Sequence, residues 1–226
     1  MSHGLTLALD GSTYAVSVAL IRDRDVIAER QLPLVQTPGR GGREENFMPM
    51  VAECLRDGQV RPSDLARVVC GEGPGSFTSL RVAASIAKGI AVGANIPLFA
   101  VSSLLLLVAR DDRDDGTWLS TLPAMRGEVY AALYAVESAT IRQSGDPRII
   151  RESELDDEAA RAGAKIIGTA AHADETPHAR GVARVIDQIV EGAACSIDSW
   201  EPVYGRLAEA QVKWEAAHGR PLSAAG

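Results

Sequence analysis

Three short apolar runs, residues 5–9, 15–21 and 26–32, precede a regular alternation of helical and strand patterns, and that order restricts the fold more than any other feature of the chain. The first run ends in Asp10-Gly11-Ser12, and the second and third join across Arg22-Asp23-Arg24-Asp25, so a three-strand meander is expected. Over 43–56 the apolar residues Phe47, Met48, Met50, Val51, Cys54 and Leu55 recur at helical spacing, with Pro49 in the first turn or at a kink. A strand is expected at 66–70, then a glycine turn, a long helix over 76–94 and a strand at 97–101.

The resulting β-β-β-α-β-α-β order is that of the ribonuclease-H-like layer, which actin-like ATPases and several nucleases share. A helix at 104–109 leads into a charged break at 111–115, where a lobe boundary is expected. Beyond it, 118–122, 128–135, 148–151 and 165–167 read as strands, and 152–162, 182–191 and 204–217 as helices. The expected organisation is a first lobe over 1–110 carrying a partner interface, a smaller second lobe over 111–203, and a C-terminal helix within 204–226 packing back on the first lobe.

With 226 residues and 46% apolar composition the chain can bury a sizeable core, and 23% charged residues without low complexity exclude a disordered or collagen-like chain. The net charge of −7 removes counterion release as a driving force for nucleic-acid binding, so any RNA role is expected to be indirect. Only 4% of residues are aromatic, which leaves little for base-stacking platforms. Cys54, Cys70 and Cys195 are odd in number, lack metal-ligand spacing and read as small buried hydrophobes of a reducing compartment. The longest uncharged stretch, 89–109, is broken by Gly93, Asn95, Pro97 and Ser102-Ser103 and does not read as a membrane span. Residues 5–9 are too short for a secretory leader, so a cytoplasmic location is expected.

Four constellations carry chemistry, each beside a plainer reading. Asp10-Gly11-Ser12-Thr13 has the make-up of a hairpin that holds phosphate through N–H groups and hydroxyls while the carboxylate orders a hydrated metal, and equally of an ordinary turn. The stretch from Gly71 to Arg81 lacks a Walker lysine and the dinucleotide glycine spacing; Ser76 is placed to cap the following helix. That helix carries Ala83, Ala84, Ser85, Ala87, Gly89, Ala91, Gly93 and Ala94 with only Arg81 and Lys88 charged, so either the sheet below or a partner helix must approach it closely. Asp10, Glu44 or Glu45, and Glu72 fall where ribonuclease-H-like nucleases place carboxylates for two metals, although Glu72 and the Glu44-Glu45 pair read more simply as solvated charges. His3, His172, His178 and His218 are scattered, and no transition-metal or serine-hydrolase pattern occurs.

Leu7-Ala8-Leu9-Asp10, Ser17-Val18-Ala19-Leu20, Gly73-Pro74-Gly75-Ser76-Phe77-Thr78-Ser79-Leu80-Arg81 followed by Ala87-Lys88-Gly89, Arg126-Gly127-Glu128-Val129-Tyr130, and Glu201-Pro202-Val203-Tyr204-Gly205-Arg206 stand in one order over nearly the whole chain. Together they resemble the bacterial TsaB (YeaZ) family, the Gly-Pro-Gly-Ser-Phe-Thr stretch being the specific landmark. The resemblance implies a two-lobed actin-like (ASKHA, ribonuclease-H-like) α/β fold with mixed sheets flanked by helices. It implies a non-catalytic partner of TsaD in forming N6-threonylcarbamoyladenosine at position 37 of ANN-decoding tRNAs. Helices 43–56 and 76–94 would form a four-helix contact with TsaD, or with a second copy when TsaD is absent.

Carried onto this sequence, that contact would use Phe47, Met50, Val51 and Cys54 from the first helix and Ser76, Phe77, Leu80, Arg81, Ala84 and Lys88 from the second. The ATPase TsaE and a threonylcarbamoyl-adenylate synthase would complete the pathway, with no cofactor of the chain's own and ATP or ADP entering at the level of the complex. Asp10, Gly11, Ser12 and Thr13 would be a vestigial nucleotide site. The chain departs from the family pattern at Ser79, where glycine is usual, at Glu72, where a basic residue is common, and at Gly205, where leucine is usual. Pro123-Ala124-Met125 stands in place of Asp-Ala-Arg, so a second phosphate hairpin is missing and ATP hydrolysis by this chain alone is not expected. The alternatives from the residues are an actin-like ATP-dependent phosphotransferase and a two-metal ribonuclease-H-like nuclease.

Overall fold

The computed structural model describes residues 4–33, 46–138, 140–168 and 175–205. Strands β1 (Leu5–Asp10), β2 (Ser17–Arg22) and β3 (Asp25–Gln31) form the meander, and helix α1 (Phe47–Asp57) follows. Next come β4 (Arg67–Gly71), α2 (Phe77–Ala94), β5 (Leu98–Val101) and α3 (Ser103–Ala109). The first sheet has the order β3-β2-β1-β4-β5, with β1 antiparallel to β2 and parallel to β4.

The second half repeats this plan. Strands β6 (Gly116–Met125), β7 (Glu128–Glu137) and β8 (Thr140–Arg151) form another meander, followed by α4 (Leu155–Ala162), β9 (Ala164–Gly168) and α5 (Val182–Glu191). Their sheet has the order β8-β7-β6-β9, with β6 antiparallel to β7 and parallel to β9, matching the first sheet without its fifth strand.

Strand alternation decides how the layers stack. In β1 and β2, Leu7, Leu9, Val18 and Leu20 point to one face, where they meet Phe47, Val51 and Cys54 of α1 and Ala83, Ala87 and Ala91 of α2. Ala8, Ala19 and Ile21 point to the other, where a core shared by both sheets holds Leu104, Leu107 and Val108 of α3 and Val182, Val185, Ile186 and Ile189 of α5. Leu119, Val129 and Ala131 use the far face of the second sheet to bury Leu155 and Ala159 of α4. The layers therefore run α1 and α2, first sheet, α3 and α5, second sheet, α4. The outer surface of α1 and α2 is the end of this stack.

Several elements differ from the sequence reading. The 43–56 helix begins at Phe47 in the described part, with Pro49 in its first turn where the missing N–H costs nothing. The strand expected at 118–122 extends over Gly116–Met125, and the one expected at 148–151 starts at Thr140. The polar Gln143-Ser144-Gly145-Asp146-Pro147 reads as a loop, but pairing to β7 overrides that preference, and a register shift opposite Ala131 and Leu133 absorbs it. The first turn of the 152–162 helix is a 3-10 turn, Glu152–Glu154. Tyr204 and Gly205 are not helical, and the rest of the 204–217 helix lies outside the described residues, as do Glu44 and Glu45.

Candidate functional site

Asp10 ends β1 with its carboxylate buried. Its Oδ1 accepts hydrogen bonds from the Ser12 amide (3.1 Å) and the Ser12 hydroxyl (2.7 Å), and its Oδ2 accepts from the Ser103 hydroxyl (2.6 Å). Ser103 Oγ accepts in turn from the Gly73 amide (3.1 Å), and the Ser103 amide donates to the Gly73 carbonyl (2.9 Å). Thr13 Oγ1 accepts from the Ala15 amide at 3.2 Å. Burial raises the Asp10 carboxyl above its ordinary value, against the bonds from Ser103 and Ser12 that lower it.

The glycine turn closes over this hairpin. The Ser76 amide donates to the Ser12 carbonyl at 2.7 Å, and a Cβ at Gly75 would overlap that carbonyl. A Cβ at Gly11 would overlap the Ser79 carbonyl of α2, and Gly73 holds a φ of 101° that side-chain-bearing residues rarely adopt. Asp10, Gly11, Ser12 and Thr13 are thus brought together: the Asp10 carboxylate is engaged by Ser12 and Ser103, the Thr13 hydroxyl by Ala15 and the Ser12 carbonyl by Ser76, and α2 and its loop pack against the turn. As placed, the buried Asp10 carboxylate, hydrogen-bonded at both oxygens, does not fit a hydrated metal, which needs a free carboxylate oxygen. Among the described residues no group of three or more His, Cys, Asp or Glu is arranged to hold a metal ion.

Two local expectations are corrected. Ser76 is the N-cap residue of α2, yet its side chain makes no capping bond; its hydroxyl lies 3.1 Å from that of Ser79 instead. Glu72 is not a solvated charge. It is half-buried beside the Trp200 indole; burial pushes its carboxyl up, the indole N–H pulls the other way, and that N–H has no partner in regular hydrogen-bond geometry. The Val203 amide donates to the Glu72 carbonyl (2.7 Å), and Tyr130 Oη donates to the Tyr204 carbonyl (3.1 Å), so residues 200–204 strap the glycine turn to the second lobe. Gly205 sits beneath the Tyr130 ring at a φ of 70°, where a Cβ would overlap the ring, which accounts for glycine at that position.

The α1 and α2 pair divides sharply. Phe47, Met50, Val51 and Cys54 face the first sheet, and burial pushes the Cys54 thiol up to about 11. Leu80 and Ala84 are buried as well, Ala84 near the segment that carries Pro202 and Tyr204. In the single chain these six residues therefore shape the face from within rather than lie on it. Ser76 and Phe77 are half-buried, Phe77 with its ring centroid 4.5 Å from that of Tyr204. Arg81 is exposed and Lys88 half-exposed.

The outer face is made by Met48 and Ala52 of α1 and by Ser85, Gly89, Val92 and Gly93 of α2, with Met48 52% and Val92 62% exposed. A Cβ placed on Gly89 or Gly93 would meet nothing within 4 Å. Contact with the sheet below therefore does not explain these two glycines, which sequence reasoning allowed as one of two causes. Sequence reasoning also missed Ser103 and Trp200 and gave Tyr204 no contact beyond its place in a landmark, since nothing local marks a residue whose partner lies dozens of positions away.

The architecture defines a class: two-lobed actin-like α/β proteins with ribonuclease-H-like sheets. Two Pseudomonas aeruginosa structures share it. One is described as an uncharacterized protein with similarity to peptidase YEAZ (TM-score 0.74, 23% identity, 90% of this chain and 100% of that one), the other as YeaZ (TM-score 0.71, 23% identity, 89% and 99%). The family model for TsaD, tRNA N6-adenosine threonylcarbamoyltransferase, matches residues 42–197. The Bacillus subtilis tRNA threonylcarbamoyladenosine biosynthesis protein TsaB is 30% identical over 233 residues, covering 92% of this chain and 96% of that protein. The Escherichia coli protein of the same name is 33% identical over 152 residues, covering 66% and 63%. The chain belongs to the TsaB (YeaZ) family.

Proposed function

We propose that this protein is a non-catalytic subunit of the machinery that forms threonylcarbamoyladenosine in tRNA, pairing through α1 and α2 with a TsaD-like transferase in the cytoplasm. The observation that carries the reading is the open outer face of α2: Gly89 and Gly93 each weaken a helix by about 1 kcal/mol relative to alanine, and among the described residues no contact offsets that cost. Close approach of partner helices offsets it, because small residues let backbones pack tightly. The match to the TsaD family model supports a partner built on the same plan, meeting this chain with equivalent elements, as a second copy would in a homodimer.

On this reading the closed Asp10 hairpin leaves nucleotide to the complex, TsaE and a threonylcarbamoyl-adenylate synthase act beside it, and tRNA is engaged only indirectly. The test is reconstitution from purified TsaD, TsaE and synthase homologues of the same organism with tRNA transcripts. Modified adenosine should accumulate only when this protein is added. Equal yield without it, or ATP turnover or nucleic-acid cleavage by this protein alone, would overturn the reading.

A further inference from the structure

We propose that the groove between α2 and residues 201–204 receives an aspartate or glutamate side chain from the protein docked on α1 and α2, held between Arg81 and Lys88. This rests on the docking reading above and names the chemistry the partner must bring.

The groove is a cavity of about 60 Å³, floored by Ala84 and opening beside the outer face of α2. That volume takes a carboxylate and is too small for a nucleotide. Arg81 and Lys88 both line it and stand two turns apart on one side of a helix that carries no acidic residue. Arg81 stacks 5.4 Å from the Phe77 ring centroid and Lys88 5.8 Å from that of Trp200, which holds both stems in place. Neither cation has an ion-pair partner among the described residues.

Glu201 also lines the groove, and its carboxylate accepts a hydrogen bond from the Tyr204 hydroxyl at 3.1 Å. The described charges of the lining are thus two positive and one negative, on a chain whose net charge is −7. A single carboxylate completes the balance there. The backbone amides on the α2 side of the groove belong to the middle of a helix and are used within it, so that wall offers no amide cradle for a free phosphate. A side chain delivered by a docked protein needs only the two cations.

The test is titration of the full-length protein with the TsaD homologue, comparing wild type, Arg81→Glu/Lys88→Glu, and a control with the same charge change on the second lobe, Arg126→Glu/Arg142→Glu. Circular dichroism establishes that each variant is folded. The expected result is binding weakened about 10- to 100-fold by the α2 pair, with a flattened salt dependence, and changed less than about twofold by the control. Wild-type binding that survives the α2 pair unchanged would overturn the groove proposal and leave the docking reading intact. Absence of a wild-type complex would overturn both. An α2 pair that loses only its homodimer, or only binding of inorganic phosphate or ATP, would assign the groove to a second copy or a free anion, against the proposal.

Discussion

Asp10 holds a carboxylate where water does not reach, and the three donors around it decide what its loss would do. Asp10→Ala leaves the Ser12 and Ser103 donors without their acceptor and should lower stability by about 2–3 kcal/mol in urea melts. Asp10→Asn keeps the Oδ1 acceptor and should lose far less. The pH dependence separates the two further. Because the folded carboxyl is raised above its ordinary 3.8, its contribution to stability is present below that value and is lost as pH rises through the raised one. Asp10→Asn should therefore gain on wild type as pH increases, and an equal loss at every pH would contradict this. His178 runs the opposite way: burial foremost, then the Arg180 and Arg110 charges, pull its pKa down to about 4. Stability should fall as pH drops from about 6.5 toward 4, where the unfolded chain binds the proton and the fold does not. His178 Nδ1 accepts from the Arg180 amide at 3.0 Å, and asparagine can supply the same acceptor. His178→Asn should flatten that limb of the stability profile. The strand-end position of Asp10 is legible in the sequence; the residue that closes it, Ser103, is 93 positions away and becomes its partner only through the parallel crossovers.

At the scale of elements, the small residues of α2 serve two directions at once. Ala83, Ala87 and Ala91 let the helix lie close on the first sheet, while Gly89 and Gly93 look outward into open space. Gly89→Ala should raise the stability of the isolated protein by about 0.5–1 kcal/mol, measured by thermal melting, because it adds helix propensity with no clash. A loss of stability would mean that another backbone lies against that position in the monomer. The spacing of α1 and α2 and the meander were legible because their apolar periods are strong. The reach of β8 was not: its polar middle, Gln143 to Pro147, becomes a strand only because β7 is there to pair with it. The two faces of α2 share one composition, so which glycines face outward had to come from the packing.

For the molecule as a whole, the repeated meander, helix, strand plan places α3 and α5 between two sheets and leaves α1 and α2 as an outer layer. Ionic contacts fix the edges of this stack. Arg180 bonds Asp111, the Arg110 carbonyl and Glu29, and Arg113 bonds Glu175, tying β3 to the segment after α3 and to the approach to α5. The open face of that outer layer is the surface on which the proposed pairing rests. The order of the first seven elements revealed the fold class in the sequence; the duplication showed there only as a weak echo, a second β-β-β-α-β order, and the matching strand order makes it plain.

The most direct measurement is light scattering coupled to size exclusion, on wild type and on Gly89→Trp, each alone and mixed with the TsaD homologue. A Cβ at 89 meets nothing within 4 Å among the described residues and points outward, so the monomer should stay folded with an unchanged or higher melting temperature. The account predicts that wild type forms a homodimer that exchanges into a one-to-one complex, and that Gly89→Trp remains monomeric in both settings. Wild-type monomers with no complex, or a Gly89→Trp variant that pairs as wild type does, would contradict it.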